Sequence, residues 1–175
     1  MKTINCTAAR VLSTVTIILS LTLFGISNGW AQQKAGASAR QLVGNWAVVS
    51  VVTTQPDGKK IQGFGDKPQG LLTFDAHGRY ALQICSSGRP KFASNSRAKG
   101  TPEENQAAVL GCNPHWGHYS VSDGAINFKI EHAMFANWEG TEQKRPFKVK
   151  GDELTYVVPA ASTGGTAELV WKRVK

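Results

Sequence analysis

Residues 42–54, LVGNWAVVSVVTT, decide the fold: a glycine-x-tryptophan turns directly into an apolar strand. Period-2 side-chain geometry puts Trp46, Val48, Ser50 and Val52 on one face and Ala47, Val49, Val51 and Thr53 on the other. Both faces are apolar near the start, so the strand is expected to be covered on both sides there. Gly44 suits a backbone that bends or approaches another segment closely, and Trp46 is a large plug with one N–H to satisfy. A short turn, a glycine and a buried tryptophan would close the bottom of a small barrel.

Downstream the same two-residue rhythm recurs. Segments 70–74 and 79–85 flank Asp75-Ala76-His77-Gly78, and 115–121 and 125–132 flank Ser122-Asp123-Gly124. Segments 141–149 and 153–158 flank Lys150-Gly151-Asp152, and 167–174 follows a turn at 162–165. With the first, that makes eight strands joined mostly by short sequential links. An all-β, eight-stranded antiparallel up-and-down barrel satisfies this pattern, because closure removes exposed edges. A two-sheet sandwich is the other architecture that fits.

The rhythm breaks at 86–100, which holds Arg89, Lys91, Arg97 and Lys99. Thr101-Pro102-Glu103-Glu104 then opens one short helix, with threonine as N-cap, proline at the first helical position and acids in the first turn. Ala107, Ala108, Val109 and Leu110 form its apolar part and Gly111 ends it. So long a connection reads as a lid or flap over one barrel end.

Residues 1–31 read as a secretory signal peptide: Lys2 and Arg10 without an acid, an apolar run, and small residues at Gly29 and Ala31 that place cleavage after Ala31. The apolar run is short for a spanning helix and breaks at Gly25, so no membrane anchor is expected after its removal. Residues 32–40 read as a flexible tether, within which Ala39 begins one helical turn reaching Val43, and 41–175 as the barrel domain. The expected location is periplasmic or secreted. In that oxidising setting Cys85 and Cys112 are the one pair left after Cys6 departs, and they read as a disulfide, with two free thiols as the alternative.

Loss of residues 1–31 leaves 18 basic and 12 acidic residues, a net charge of +6. Arg79, Arg89, Lys91, Arg97 and Lys99 run without an intervening acid, yet only Tyr80 and Phe92 could stack on bases there. No nucleic acid is therefore expected as a partner. A solvated rim that steers anions fits better. No phosphate loop, nucleophile elbow or catalytic cysteine signature is present, and no cofactor is expected. His115 and His118, with His132, suggest a metal only superficially, because a spacing of three on a strand sends the two rings to opposite faces. No metal is expected. The sequence fixes no oligomeric state.

Strand parity points to a different constellation. Phe128 and Ile130 share a face that continues to His132; Phe147 and Val149 share theirs with Gln143 and Arg145; Tyr119 and Val121 share theirs with His115 and Gly117. Tyr119, His132, Gln143 and Arg145 thus face inward, where polar groups need partners and an unpaired guanidinium is costly. They read either as the polar end of a small-molecule pocket walled by Tyr80, Leu82, Ile84, Phe128, Ile130 and Tyr156, or as an internal network closing one barrel end.

Seven fragments in order then resemble the lipocalin-like domain family of bacteria and fungi: LVGNWAVVSV, PQGLL at 68–72, RPKFAS at 89–94, GTPEE at 100–104, GHYSV at 117–121, NWEGT at 137–141 and AELVWKRV at 167–174. The resemblance spans 41–174 and implies an eight-stranded barrel with an internal cavity. Gly44 and Trp46 match the family's signature in form. Arg173 is similar to the arginine that packs over that tryptophan in lipocalins.

The leading expectation is an exported, non-enzymatic protein that binds a small, largely hydrophobic ligand with an acidic or carbonyl end. Two rivals remain: an isomerase or cyclase that uses Tyr119 and His132 in the same cavity, and an interaction module that uses the basic flap.

Overall fold

The computed structural model describes residues 37–175 of the chain. The expected signal peptide at 1–31 and the first part of the expected tether lie outside the described residues. Ala37–Arg40 forms a single helical turn, α1, with Ala39 packed into the core; the turn begins two residues ahead of the one expected from Ala39 to Val43.

Strand β1 (Gly44–Thr54) organises the sheet, as its sequence suggests. It is followed by β2 (Lys60–Ile61), β3 (Gln69–Phe74), β4 (Arg79–Cys85), β5 (His115–Ser122), β6 (Ala125–Ala133), β7 (Glu142–Lys150), β8 (Glu153–Val158) and β9 (Thr166–Arg173). Each strand from β3 onward pairs antiparallel with the next. Trp46 of β1 pairs with Leu72 of β3 on one side and with Arg173 of β9 on the other, which closes the ring. The result is a closed eight-stranded up-and-down barrel, and β2 is a two-residue addition paired to the far end of β1. Closure decides against the sandwich. Among the described residues, no helix is long and apolar enough to cross a membrane.

Two β-bulges shift the side-chain parity. In β1, Val48 pairs with Trp171 and Ser50 with Val170, so Val49 is the extra residue and is exposed. Beyond it Val51 and Thr53 turn inward, not Ser50 and Val52. In β6, Gly117 pairs with Ile130 and Trp116 with His132, which leaves Glu131 as the extra residue. A bulge adds one residue on one strand, so every side chain past it changes face. Gly117 shows why this one sits where it does. A Cβ there would run into the carbonyl oxygen of Lys129 and lie 2.8 Å from the amide nitrogen of Glu131.

The core is continuous from one barrel end to the other. Trp46, Leu72, Phe74 and Trp171 fill the closed end with Leu42, and Phe128, Tyr80 and Tyr156 fill the middle. Trp46 donates its indole N–H to the carbonyl of Leu42 at 2.7 Å. The Arg173 guanidinium lies 4.0 Å from the Trp46 ring centre and donates to the carbonyls of Val43 and Gln41 at 2.8 and 2.7 Å. Gly44 has a φ of 128° and sits directly under that guanidinium, where a side chain would both strain the backbone and collide.

The other end is open. It is framed by the loops at 55–68, 86–114, 134–141 and 159–165. The helix α2 (Pro102–Leu110) forms as its sequence dictates: Thr101 Oγ1 accepts from the Glu104 amide and the Glu104 carboxylate accepts from the Thr101 amide, a complete capping box. Val109 and Leu110, in the apolar part of the helix, are exposed. Cys85 and Cys112 are joined by a disulfide with Cα atoms 4.2 Å apart. Flanking backbone bonds, Ser86 to Gly111 and Asn113 to Ile84, both 2.8 Å, make this the neck of the flap.

Candidate functional site

The open end leads to a cavity of about 90 Å³ inside the barrel. Its wall comes from alternate residues of the barrel strands: Val51 and Thr53 of β1, Leu82 and Ile84 of β4, Tyr156 and Val158 of β8, Ala167 and Leu169 of β9. Phe64, Trp138 and residues 161–163 form the mouth, and Asn113, His115 and Arg145 supply polarity. The flap at 86–111 lies beside the 63–66 loop and does not line this cavity.

Arg145 is 3% exposed, a guanidinium taken almost wholly out of water. Its Nη2 donates to Gln143 Oε1 at 2.6 Å and its Nη1 to the Tyr156 hydroxyl at 3.4 Å. The guanidinium carbon stands 4.5 Å from the centre of the Phe128 ring and 5.3 Å from that of Tyr156, so aromatic faces carry part of its charge. Its Nε has no partner among the described residues, and no carboxylate pairs with it. An uncompensated buried charge costs several kcal/mol, roughly 3 to 5 when a partner is missing.

Gln143, Arg145, Tyr80, Phe128 and Tyr156 are thus brought together as expected from strand parity. Two of the anticipated polar residues are elsewhere. Tyr119 is buried, but its hydroxyl donates to the carbonyl of Asp75 at 2.8 Å, at the closed end. Burial raises its phenol to about 12. His132 is exposed, because the Glu131 bulge throws it to the outer face, where it lies against Trp116 and 3.5 Å from Glu139. The proton donors that an isomerase reading relied on are therefore absent from the cavity.

His115 takes the place that His132 was expected to fill. It is 1% exposed, it lines the cavity, and its Nδ1 lies 2.9 Å from the Tyr80 hydroxyl. Trp138 packs edge-on to its ring at 5.6 Å. Burial, followed by the nearby Arg145 charge, holds its imidazole well below 6.5, so the ring is neutral. Burial likewise raises the phenols of Tyr80 and Tyr156. The signal was present in the face that His115 shares with Gly117 and Tyr119.

His118 faces outward as its spacing requires, joined to Arg79 at 2.9 Å and to Glu131 at 3.1 Å. Among the described residues no group of metal-ligating side chains converges. Arg79 is paired with Glu131 at 2.9 Å, so it does not belong to the basic flap.

The barrel, its signature tryptophan and its arginine clasp agree with a sequence comparison in which the lipocalin-like domain family matches residues 43–174. The chain belongs to the lipocalin-like domain family. A 4'-hydroxy-3'-methoxypropiophenone carrier protein, ppsC, of Aspergillus oryzae (strain ATCC 42149 / RIB 40) is 27% identical over 106 residues, which cover 54% of this chain and 96% of that protein. Among solved structures, a lipocalin-like protein from Bacteroides uniformis ATCC 8492 is similar with a TM-score of 0.42 at 10% identity, over 77% of this chain and 99% of that one. The wild-type fluorescent protein UnaG is similar with a TM-score of 0.39 at 12% identity, over 78% and 99%. This lipocalin-like barrel thus has a named carrier among its sequence relatives.

Proposed function

We propose that this lipocalin-like protein is an exported, non-enzymatic carrier that holds a small, largely apolar molecule with an acidic or carbonyl end directed at Arg145. The observation that carries this reading is the guanidinium itself: buried beside a mostly apolar cavity and, among the described residues, without a carboxylate and with its Nε–H unpartnered. A ligand oxygen would supply the missing acceptor, and the surrounding low dielectric would strengthen that contact.

Two further facts support it. The related ppsC is named as the carrier of an aromatic ketone, which has an apolar ring and a carbonyl. The cavity, about 90 Å³, lies below the roughly 300 to 1,000 Å³ of drug-sized pockets, so it holds a headgroup while the body of the ligand extends between Phe64 and Trp138. Export rests on the pattern at residues 1–31, and the Cys85–Cys112 bond suits an oxidising compartment.

Native mass spectrometry of protein purified from its own compartment tests the reading, together with titration by 4'-hydroxy-3'-methoxypropiophenone. A reproducible excess mass over the denatured protein, lost in Arg145→Ala while the thermal unfolding transition persists, is the expected result. Absence of both an excess mass and ketone binding would remove it.

A further inference from the structure

Resting on that carrier reading, we propose that the cavity selects the ligand in its anionic form, as an oxyanion that accepts from both Arg145 and His115. Tyr80 has one O–H, and the only hydrogen bond it makes among the described residues is to His115 Nδ1. If Nδ1 carried the ring proton, the buried Tyr80 O–H would have no acceptor, which is the costlier arrangement. Tyr80 therefore donates, Nδ1 accepts, and the neutral ring carries its proton on Nε2. That second nitrogen makes no hydrogen bond among the described residues, and the ring lines the cavity.

Among the described residues, two donor nitrogens of the site so assembled have no acceptor, Nε of Arg145 and Nε2 of His115. Both groups pack on the Phe128 ring, the guanidinium carbon 4.5 Å and the imidazole centre 6.2 Å from its centre. The titratable groups facing this point are Tyr80 from β4, His115 from β5 and Tyr156 from β8, all neutral. Glu131 of β6 is turned to the outer face, bound to Arg79 and His118. One positive charge, two donors and no carboxylate are complementary to a single oxyanion, a carboxylate or an acidic phenol bound as phenolate. The proton of such a phenol leaves to solvent on binding.

Three probes test this at a pH one unit below the pKa of free 4-hydroxyacetophenone: that phenol, its neutral methyl ether 4-methoxyacetophenone, and 4-ethylbenzoate. The expected result is that the phenol or the benzoate binds at least tenfold tighter than the ether, and the stronger of the two identifies the oxyanion. A bound phenol should show the red-shifted phenolate absorption. Arg145→Gln should erase the preference, and His115→Gln should weaken anion binding by about tenfold, the loss of one charge-assisted hydrogen bond. Equal binding of the ether, or a bound phenol with the spectrum of its neutral form, overturns the inference and leaves the carrier reading standing. Failure of all three probes to bind removes both.

Discussion

The Tyr80 hydroxyl and the Nδ1 of His115 meet at 2.9 Å inside the barrel, on an imidazole that burial and then the Arg145 charge keep neutral. Its consequence for stability has a definite sign. Burial depresses the folded-state pKa of His115 well below 6.5, whereas in the unfolded chain the ring titrates near about 6.5. Above that pH neither state takes up the proton and the contribution is fully present. Below it the unfolded state gains a proton that the folded state refuses, so stability falls as pH falls. The slope from this group is at most about 1.4 kcal/mol per pH unit. Urea unfolding from about pH 7 to pH 5 should show it in the wild type and not in His115→Gln. Parallel profiles for the two proteins would mean that His115 is accessible to protons in the folded barrel.

Gly117 holds that histidine in place by letting the bulged strand approach. Gly117→Ala forces a methyl group against the Lys129 carbonyl and the Glu131 amide. The expected cost is about 1 to 3 kcal/mol, the usual range for overpacking. Relief of the clash would come by losing the bulge, which would return His132 to the inner face. Chemical denaturation measures the first effect. A wild-type midpoint in Gly117→Ala would contradict the crowding.

The disulfide closes the flap where it leaves the barrel, with a sequence separation of 27 between the two cysteines. The chain-entropy model gives about 3 to 4 kcal/mol for a loop of that size. Cys85→Ser/Cys112→Ser should therefore unfold at lower temperature, by about 10 °C on the scale of 2 to 4 °C per kcal/mol. Asn113, which lines the cavity next to Cys112, should become mobile in the same variant. Differential scanning calorimetry and amide exchange at Asn113 read these two outcomes.

The fold was legible because local signals agreed with one another. The turn residues at Asp75–Gly78 and Asp123–Gly124 set the hairpins, and the Gly44-x-Trp46 pair closes under Arg173 as its form suggests. What sequence parity lost were the two bulges. A bulge is invisible to period-2 counting, because its extra residue can be any type that tolerates the outer face, here Val49 and Glu131. The count before the Glu131 bulge placed Phe128 and Ile130 correctly; the count after it misplaced His132. Gly117 was the available clue, since a glycine within an aromatic-rich strand marks close backbone approach. Arg145 and Gln143 were placed correctly because no bulge interrupts β7.

Arg145 offers the sharpest separation between function and architecture. If it is an internal strut, its removal should cost about 3 kcal/mol or more, from the lost stacking on Phe128 and Tyr156 and the buried oxygens left without their donor. If the charge is instead maintained for a ligand, replacing it with an apolar chain should leave the empty barrel as stable or more stable, by about 1 to 3 kcal/mol. Arg145→Met alone would strand the buried Tyr156 hydroxyl, which Arg145 contacts at 3.4 Å, so the clean comparison is Arg145→Met/Tyr156→Phe. Gln143 keeps access to solvent and needs no compensation. The expected outcome is an unfolding free energy equal to or above that of the wild type, with binding of 4-ethylbenzoate abolished. A loss greater than about 3 kcal/mol in that double variant would make Arg145 a member of a structural network and its cavity a packing defect.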